Sequence, residues 1–240
     1  MIHIDASGLS YQQLNEKIHS CQEDVFLENC CGQRFLGTGM GEKHIRIQGT
    51  PGNALGAYLN GASIEVLGNA QDAVGDTMNA GRIVVHGSLG DTAGYAMRGG
   101  EIYVRGNAGY RTGIHMKAYG DTQPVIVIGG RVGSFLGEYL AGGRILVLGL
   151  HQDGKKIVSN FPGAGMHGGR MILRSDCANV LFPSQVSCHR AAGAELDLIE
   201  THVRRFCDIF SLDADWVLDA PFTVAVPDSH NPYRQMYVAN

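Results

Sequence analysis

A glycine recurs along this chain at a fixed interval of 19 residues. The five positions that define the interval are Gly37, Gly56, Gly75, Gly94 and Gly113. Eight residues after each of the first four, a short run begins with isoleucine and ends in glycine. The unit is too short for a strand plus a crossover helix, and the residues between the runs show no helical periodicity. The interval therefore predicts a solenoid in which each repeat forms one coil.

Seven strand-like runs follow one another along the repeat. They are Ile45–Gly49, Ile64–Gly68, Ile83–Gly87 and Ile102–Gly106, then Val125–Gly129, Ile145–Gly149 and Met171–Ser175 at less regular spacings of 23, 20 and 26 residues. The later units thus keep the strand and accept insertions in their turns. The chain is predicted to be an all-β solenoid, a single-stranded β-helix of about seven coils with short capping helices at its N- and C-terminal ends.

Alternation of side chains along a strand predicts which residues fill the interior. The first and third positions of the runs form two inward columns: Ile45, Ile64, Ile83, Ile102, Val125, Ile145 and Met171, and Ile47, Val66, Val85, Val104, Val127, Val147 and Leu173. The repeated glycines, with Gly137 and Gly163 as later equivalents, are interpreted as structural turn glycines. A corner repeated in every coil favours glycine because it needs a positive φ or a close approach of backbones.

The outward positions of the later coils are unusually apolar. The residues concerned are Ile126, Ile128, Leu146, Leu148 and Ile172. An exposed stripe of this kind is uncommon, so it is predicted to be covered either by the chain's own tail or by a partner protein. A candidate in the tail is an amphipathic helix, because Leu196, Ile199, Val203, Phe206 and Phe210 recur at spacings of three and four.

Three segments are predicted from this organisation: an N-terminal cap over 1–24, the β-helix over 25–185, and a C-terminal helix and tail over 186–240. Ser10 and Gln13 form a capping box that predicts the start of a short helix in the first segment. Caps are expected because the end coils of a solenoid would otherwise expose strand edges and core.

Few residues of the chain suggest chemistry. The net charge is −4, no basic cluster favours nucleic acid, and the absence of a signal-like or membrane-length apolar segment predicts a cytoplasmic protein. The six cysteines lack metal-ligand spacing and are interpreted as reduced thiols. Cys188 and His189 are adjacent, but no third group accompanies them, while His86 and His115 are interpreted as surface or turn histidines. No catalytic, cofactor-binding or metal-binding residue is predicted in this chain.

The glycine repeat resembles a known family. The stretches Gly137–Gly149 and Gly163–Gly169 are similar to the C-terminal GXGXG domain of the glutamate synthase large subunit, and the resemblance covers roughly residues 25–175. It implies a right-handed β-helix that packs as a structural element against a flavin- and iron-sulfur-binding synthase domain and a glutamine amidotransferase domain. The chain looks like a free-standing subunit of a split enzyme, with FMN and an iron-sulfur cluster expected in the partner subunit.

Alternatives to this interpretation remain open at the level of sequence. One of the subunits of formylmethanofuran dehydrogenase resembles the same β-helix, and one related split complex makes N-methylglutamate. The loops Tyr119–Pro124 and Leu150–Asn160 and the segment after Ser211 depart from the family pattern. A stand-alone β-helix enzyme such as a hexapeptide acyltransferase would need coils of about 18 residues with an aliphatic residue every six, which the 19-residue interval does not match. A stand-alone binding protein or a homo-oligomer is the remaining possibility.

Overall fold

A computed structural model of the chain, which describes residues 1–150 and 154–228, confirms the all-β solenoid. The strands are β1 (Ile2–Asp5), β2 (Val25–Cys31), β3 (His44–Thr50), β4 (Asn60–Val66), β5 (Ala80–Val85), β6 (Glu101–Val104), β7 (Val125–Ile128), β8 (Ala141–Val147), β9 (Gly168–Leu173), β10 (Val186–Arg190) and β11 (Thr223–Pro227). The helices are α1 (Tyr11–Ser20), α2 (Ala194–Phe210) and α3 (Ala214–Leu218). Strands β1 to β9 pair in parallel in chain order, so eight connections join nine rungs, slightly more than the seven coils predicted.

Both ends of the sheet are capped by strands or helices that lie outside the 19-residue repeat. At the N-terminal end, β1 pairs with β2, and α1 begins at the Ser10 capping box and buries Leu14 and Ile18 in the solenoid core. At the other end, β11 pairs antiparallel with β9, and β10 pairs antiparallel with β11. The reversal of direction ends the parallel ladder and gives the last coil a paired edge.

The register of β7 corrects one prediction. Ile126 and Ile128 lie beside Ile102 and Val104 of β6 and belong to the solenoid core, so placing them on the outward surface was wrong. Val125 and Val127, predicted to point inward, belong instead to a second cluster on the outer face. The inserted turn at Tyr119–Pro124 sets Ile126 24 residues after Ile102, and a one-residue slip exchanges the two faces of a strand.

Two apolar clusters hold the molecule together. The larger one fills the solenoid interior with side chains from β2 to β9, α1 and the corners. The second lies outside the solenoid, between the outward face of the later strands and the C-terminal elements. A solenoid coil has only one interior, so a second cluster requires a separate element to cover its outer face.

The predicted turn glycines lie at the corners of successive coils. All seven have φ between 62° and 73°: Gly37, Gly56, Gly75, Gly94, Gly113, Gly137 and Gly163. A Cβ on Gly113 would lie 2.3 Å from Cδ1 of Ile145, and one on Gly94 would lie 2.4 Å from Cδ1 of Ile126. The corner therefore requires glycine both for its left-handed backbone and for the space that the inward isoleucines occupy.

Two segments singled out from the sequence fall partly or wholly outside the described residues. The inserted loop Leu150–Asn160 includes residues 151–153, and the terminal segment after Asp228 consists of residues 229–240. The other inserted loop, Tyr119–Pro124, forms a short turn closed by an antiparallel bridge between Tyr119 and Thr122.

Candidate interaction surfaces

Helix α2 covers the apolar outer face of the later coils. Leu146, Leu148 and Ile172, which were predicted to be covered by the tail or by a partner, pack in one cluster with the buried face of α2. That face consists of Ile199, His202, Val203, Phe206, Cys207 and Phe210. Because the chain's own tail occupies this surface, it is not the place where another protein would bind.

Charged side chains fix α2 along the sheet. Glu101 on β6 accepts a hydrogen bond from Nη1 of Arg205 at 2.6 Å and one from Nε of Arg82 at 3.2 Å. Farther along, Nε of Arg174, the residue after β9, donates to the backbone oxygen of Val217 in α3 at 2.7 Å. The two sites orient the C-terminal helices relative to the coils.

The exposed feature that stands out is a pile of aromatic side chains on one corner of the later coils. We call it the aromatic corner: Tyr95, Tyr110, His115, Phe135, Tyr139 and Phe161. The rings of Phe135 and Phe161 stack with centroids 5.3 Å apart, and those of His115 and Tyr139 stack at 5.0 Å. Tyr110 is 49% exposed and Phe161 is 59% exposed. The pile thus presents ring surface to solvent along several consecutive coils.

Four of the six residues of the aromatic corner have a left-handed backbone. Phe135, Tyr139, Phe161 and His115 have φ of 63°, 53°, 58° and 54°. For a side chain with a Cβ this conformation costs about 1–2 kcal/mol, so such positions usually hold glycine or asparagine. Some equivalent positions in the middle coils hold small residues such as Ala73, whereas Phe35 and Tyr58 place exposed rings on left-handed backbone near the other end. Strained, exposed positions concentrate at functional sites, and in the later coils the rings at these positions stack on one another.

Charged side chains of both signs lie on the turns of the aromatic corner. The side chain of Arg111 lies with its Cζ 5.1 Å from the centroid of Phe135, and its Nε donates to Glu138 at 2.8 Å. Arg98 and Lys117 lie on the neighbouring turns, both exposed, and form no ion pair with any residue that the structure describes. The carboxylate of Asp91 accepts a hydrogen bond from the backbone nitrogen of Tyr110 at 2.7 Å. The corner therefore combines exposed rings with paired charges and with two cations that have no carboxylate partner among the described residues.

The structure pairs His189 with Glu195, and within the described residues no hydrogen bond joins it to Cys188. Nε2 of His189 lies 3.1 Å from both carboxylate oxygens of Glu195. Burial, with a smaller effect of Cys177 and Asp228, raises the pKa of the Cys188 thiol to about 11, so the side chain is a neutral thiol at pH 7. Among the described residues, no group of three metal-ligating side chains is close enough to hold an ion.

Three histidines have distinct surroundings, and one of them, the buried His202, was not identified from the sequence. His86 pairs with Glu65 at 2.9 Å and contacts Phe210 edge-on, whereas His115 is part of the aromatic corner. His202 is only 7% exposed, and neither ring nitrogen has a hydrogen-bond partner in the described structure. Burial, aided by the charge of Arg144, lowers the pKa of His202 to about 4.

The aromatic corner was not identified from sequence, although a signal exists. Its residues flank the corner glycines, as in Phe135-Leu-Gly137-Glu-Tyr139 and Phe161-Pro-Gly163. The glycine marks the corner, and the residues two before and two after it are the exposed positions. Reading those two positions down the repeat gives His115, Phe135, Tyr139 and Phe161 in the later coils, whereas Tyr95 and Tyr110 lie at other positions beside the corner glycines.

The chain is thus a β-helical protein whose coils turn at glycine corners and whose outer face is covered in part by its own helix α2. The chain belongs to the GXGXG motif family, which matches residues 13–220. This confirms the family to which the glycine repeat pointed. None of the helices in the described part of the chain is long and apolar enough to cross a membrane.

Two known proteins are similar over nearly the whole chain. An uncharacterized protein of Methanocaldococcus jannaschii, MJ1350, is 40% identical over 248 residues, covering 98% of this chain and 95% of the relative. A chain of the formyltransferase/hydrolase complex FhcABCD from Methylorubrum extorquens, solved with methylofuran, superposes with a TM-score of 0.62. That match is 16% identical and covers 90% of this chain and 87% of the other, so it shows a shared fold.

Proposed function

We propose that this chain is a non-catalytic scaffold subunit of a glutamate synthase-type complex and that an enzyme subunit docks on its aromatic corner. The family match and the glycine motifs support the type of complex. The observation that carries the proposal is the aromatic corner itself, where bulky, exposed rings occupy left-handed backbone in the later coils. Aromatic residues are enriched at the centres of protein interfaces, where they bury large areas at low entropic cost.

The occupant that fits this surface is a protein with an apolar centre and an acidic rim. The exposed rings of the corner would pack against the apolar centre, and Arg98 and Lys117 would meet the carboxylates of the rim. In a glutamate synthase-type complex the candidates are the FMN and iron-sulfur synthase subunit and the glutamine amidotransferase subunit. The partner would hold the FMN and the cluster, and the present chain would position the partner.

A second candidate is a scaffold subunit in a formyl-transferring complex of the formylmethanofuran type. The observation that favours it is the end-to-end superposition on a chain of the FhcABCD complex, with 90% and 87% of the two chains covered. The two candidates share the scaffold role and differ in the enzyme subunits that accompany the chain.

Affinity purification of the tagged full-length chain from extracts of its native cells, followed by mass spectrometry, tests the proposal. We expect to recover a flavin iron-sulfur synthase and a glutamine amidotransferase, whereas recovery of formyltransferase or hydrolase subunits would favour the second candidate. The double variant Phe135→Asn, Phe161→Asn should lose these partners while keeping the fold, because asparagine tolerates a left-handed backbone. Phe35→Asn is the matched control, since Phe35 has φ of 60° on the same corner at the far end. A wild-type chain recovered alone or only with itself, or a double variant that keeps its partners, would contradict the proposal.

A further inference from the structure

A furrow crosses the first residues of β8 and β9, where it forms an open cavity of about 600 Å³ lined in part by the backbone of Gly142, Gly143, Gly168 and Gly169. Arg144 and Arg170 line it from the strands, and Val226 and Pro227 of β11 line it as well. A cavity of this volume is within the range of small-molecule sites, which span about 300–1,000 Å³.

The arginines of this furrow occupy one outward column of the sheet. The register places Arg82 beside Glu101, Glu101 beside Val125, Val125 beside Arg144, and Arg144 beside Arg170. Arg82 has a carboxylate partner in the next coil, since its Nε lies 3.2 Å from Glu101. Arg144 has an apolar neighbour on one side and a like charge on the other. Within one column, Arg82 therefore has a carboxylate neighbour and Arg144 does not.

Among the described residues, a single carboxylate approaches the pair of arginines, and it approaches only Arg170. Arg144 forms no ion pair within residues 1–150 and 154–228, and Arg170 approaches Glu195 only at 3.9 Å. The Glu195 carboxylate is shared, because His189 contacts both of its oxygens at 3.1 Å. In the described part of the chain, the positive charges of two adjacent guanidinium groups are therefore compensated only by the Glu195 carboxylate, which His189 also contacts.

Burial makes this imbalance costly. Arg144 is partly buried, and burial together with the charge of Arg170 lowers its pKa. Arg144 also acts electrostatically on His202, which is buried and lacks a hydrogen-bond partner on either ring nitrogen. Partly buried like charges are usually compensated by an anion, either from the protein or from a ligand.

We propose that Arg144 and Arg170 bind the oxyanion of a small organic acid or phosphate compound that lies on the glycine floor of the furrow. A guanidinium group presents a planar fork that matches a carboxylate or a phosphate with two parallel hydrogen bonds. The glycines of the floor are required by the stacking of the coils, because a Cβ on Gly142 would lie 2.4 Å from the backbone nitrogen of Ala118 and one on Gly168 would lie 2.3 Å from the backbone oxygen of Ala141. The site is separate from the aromatic corner and does not depend on the proposed scaffold role.

Isothermal titration calorimetry on the full-length chain tests the site, with citrate and inorganic phosphate as separate probes at constant ionic strength. We expect saturable binding of at least one anion with one site per chain. Tighter binding of citrate would indicate a carboxylate ligand, and tighter binding of phosphate would indicate a phosphate compound. Arg144→Gln and Arg170→Gln should each weaken binding at least tenfold, and circular dichroism would check their fold.

Arg82→Gln is the matched control, because Arg82 occupies the same column but already has a carboxylate partner. We expect its affinity for the anion to stay within twofold of the wild-type value. If Arg144→Gln does not fold, Arg170→Gln alone provides the comparison, because the Arg170 side chain is 41% exposed. An absence of saturable binding with both probes, or an equal loss in Arg82→Gln, would overturn the proposal.

Discussion

The ring of Phe206 on α2 lies directly over the bare Cα of Gly129 at the end of β7. A Cβ built on Gly129 would be 2.7 Å from Cζ of Phe206, closer than any side chain tolerates. The backbone oxygen of Arg105 in the previous coil would be 2.4 Å away, so the position is closed on two sides. Gly129 therefore lies on the outward face of the sheet and contacts α2. At the glycines that end the four earlier runs, the atoms nearest to an added Cβ belong to the preceding coil and not to α2.

Phe206→Ala should lower the free energy of unfolding by about 3–5 kcal/mol, because it empties a fully buried site between α2 and the sheet. Denaturant unfolding followed by circular dichroism measures the change. Leu196→Ala on the same helix is the control, since Leu196 is 48% exposed and its replacement should cost about 0.5 kcal/mol or less. Equal effects of the two replacements would show that α2 does not pack as described.

Serine substitutions should distinguish the two apolar clusters. Leu146→Ser weakens only the outer cluster, so amide hydrogen exchange should increase mainly in α2, over residues 194–210. Ile126→Ser introduces a polar group into the solenoid interior, so exchange should increase throughout the coils. The reverse assignment of effects would mean that β7 has the opposite register.

Replacing a corner glycine should cost more than backbone strain alone. Gly8→Ala measures that strain, because Gly8 has φ of 71° and a Cβ there would have no atom within 4 Å, and we expect a cost of about 1–2 kcal/mol. Gly113→Ala adds a contact of 2.3 Å with Ile145 and should cost about 1–3 kcal/mol more. Thermal unfolding of the two variants compares them, and equal melting temperatures would refute the packing role of the corner.

The buried His202 should make stability depend on pH. Its pKa is about 4 in the folded protein against an ordinary value of 6.5, so between these values the unfolded chain binds a proton that the folded chain does not. The contribution of neutral His202 is complete above pH 6.5 and is lost as the pH falls toward 4. A shift of this size corresponds to about 3 kcal/mol.

Denaturant unfolding of the wild type and of His202→Leu at pH 7.5 and pH 5 tests this expectation. The loss of stability on going to pH 5 should be smaller in the variant, since it has no imidazole to protonate. His189→Gln serves as the control because His189 is exposed. An identical pH dependence in the wild type and His202→Leu would show that His202 titrates normally in the folded state.

Sequence reasoning succeeded where every coil has the same neighbours. The 19-residue glycine interval predicted the solenoid, and the alternation in the first four runs predicted inward columns such as Ile45, Ile64 and Ile83. The Ser10 capping box predicted the start of α1, and the spacing of Ile199, Val203 and Phe206 predicted the face of α2. Each of these features depends on residues a few positions apart, or on one contact repeated from coil to coil.

Other features were decided only when the coils were stacked. The run Val125–Gly129 is apolar on both faces, so alternation could not fix its register, and the inserted turn before it displaced the strand by one residue. The strand that contains Leu146 and the helix α2 both have an apolar face, so the sequence could not decide whether α2 or another protein covers Leu146. The same holds for Arg144, whose type matches that of Arg82 but whose neighbours across the sheet do not include a carboxylate. The repeat by itself determined the fold of each coil because its interactions are local and periodic. The tertiary structure decided the surfaces, because a surface is formed by side chains that neighbouring coils and the returning tail bring together from distant parts of the sequence.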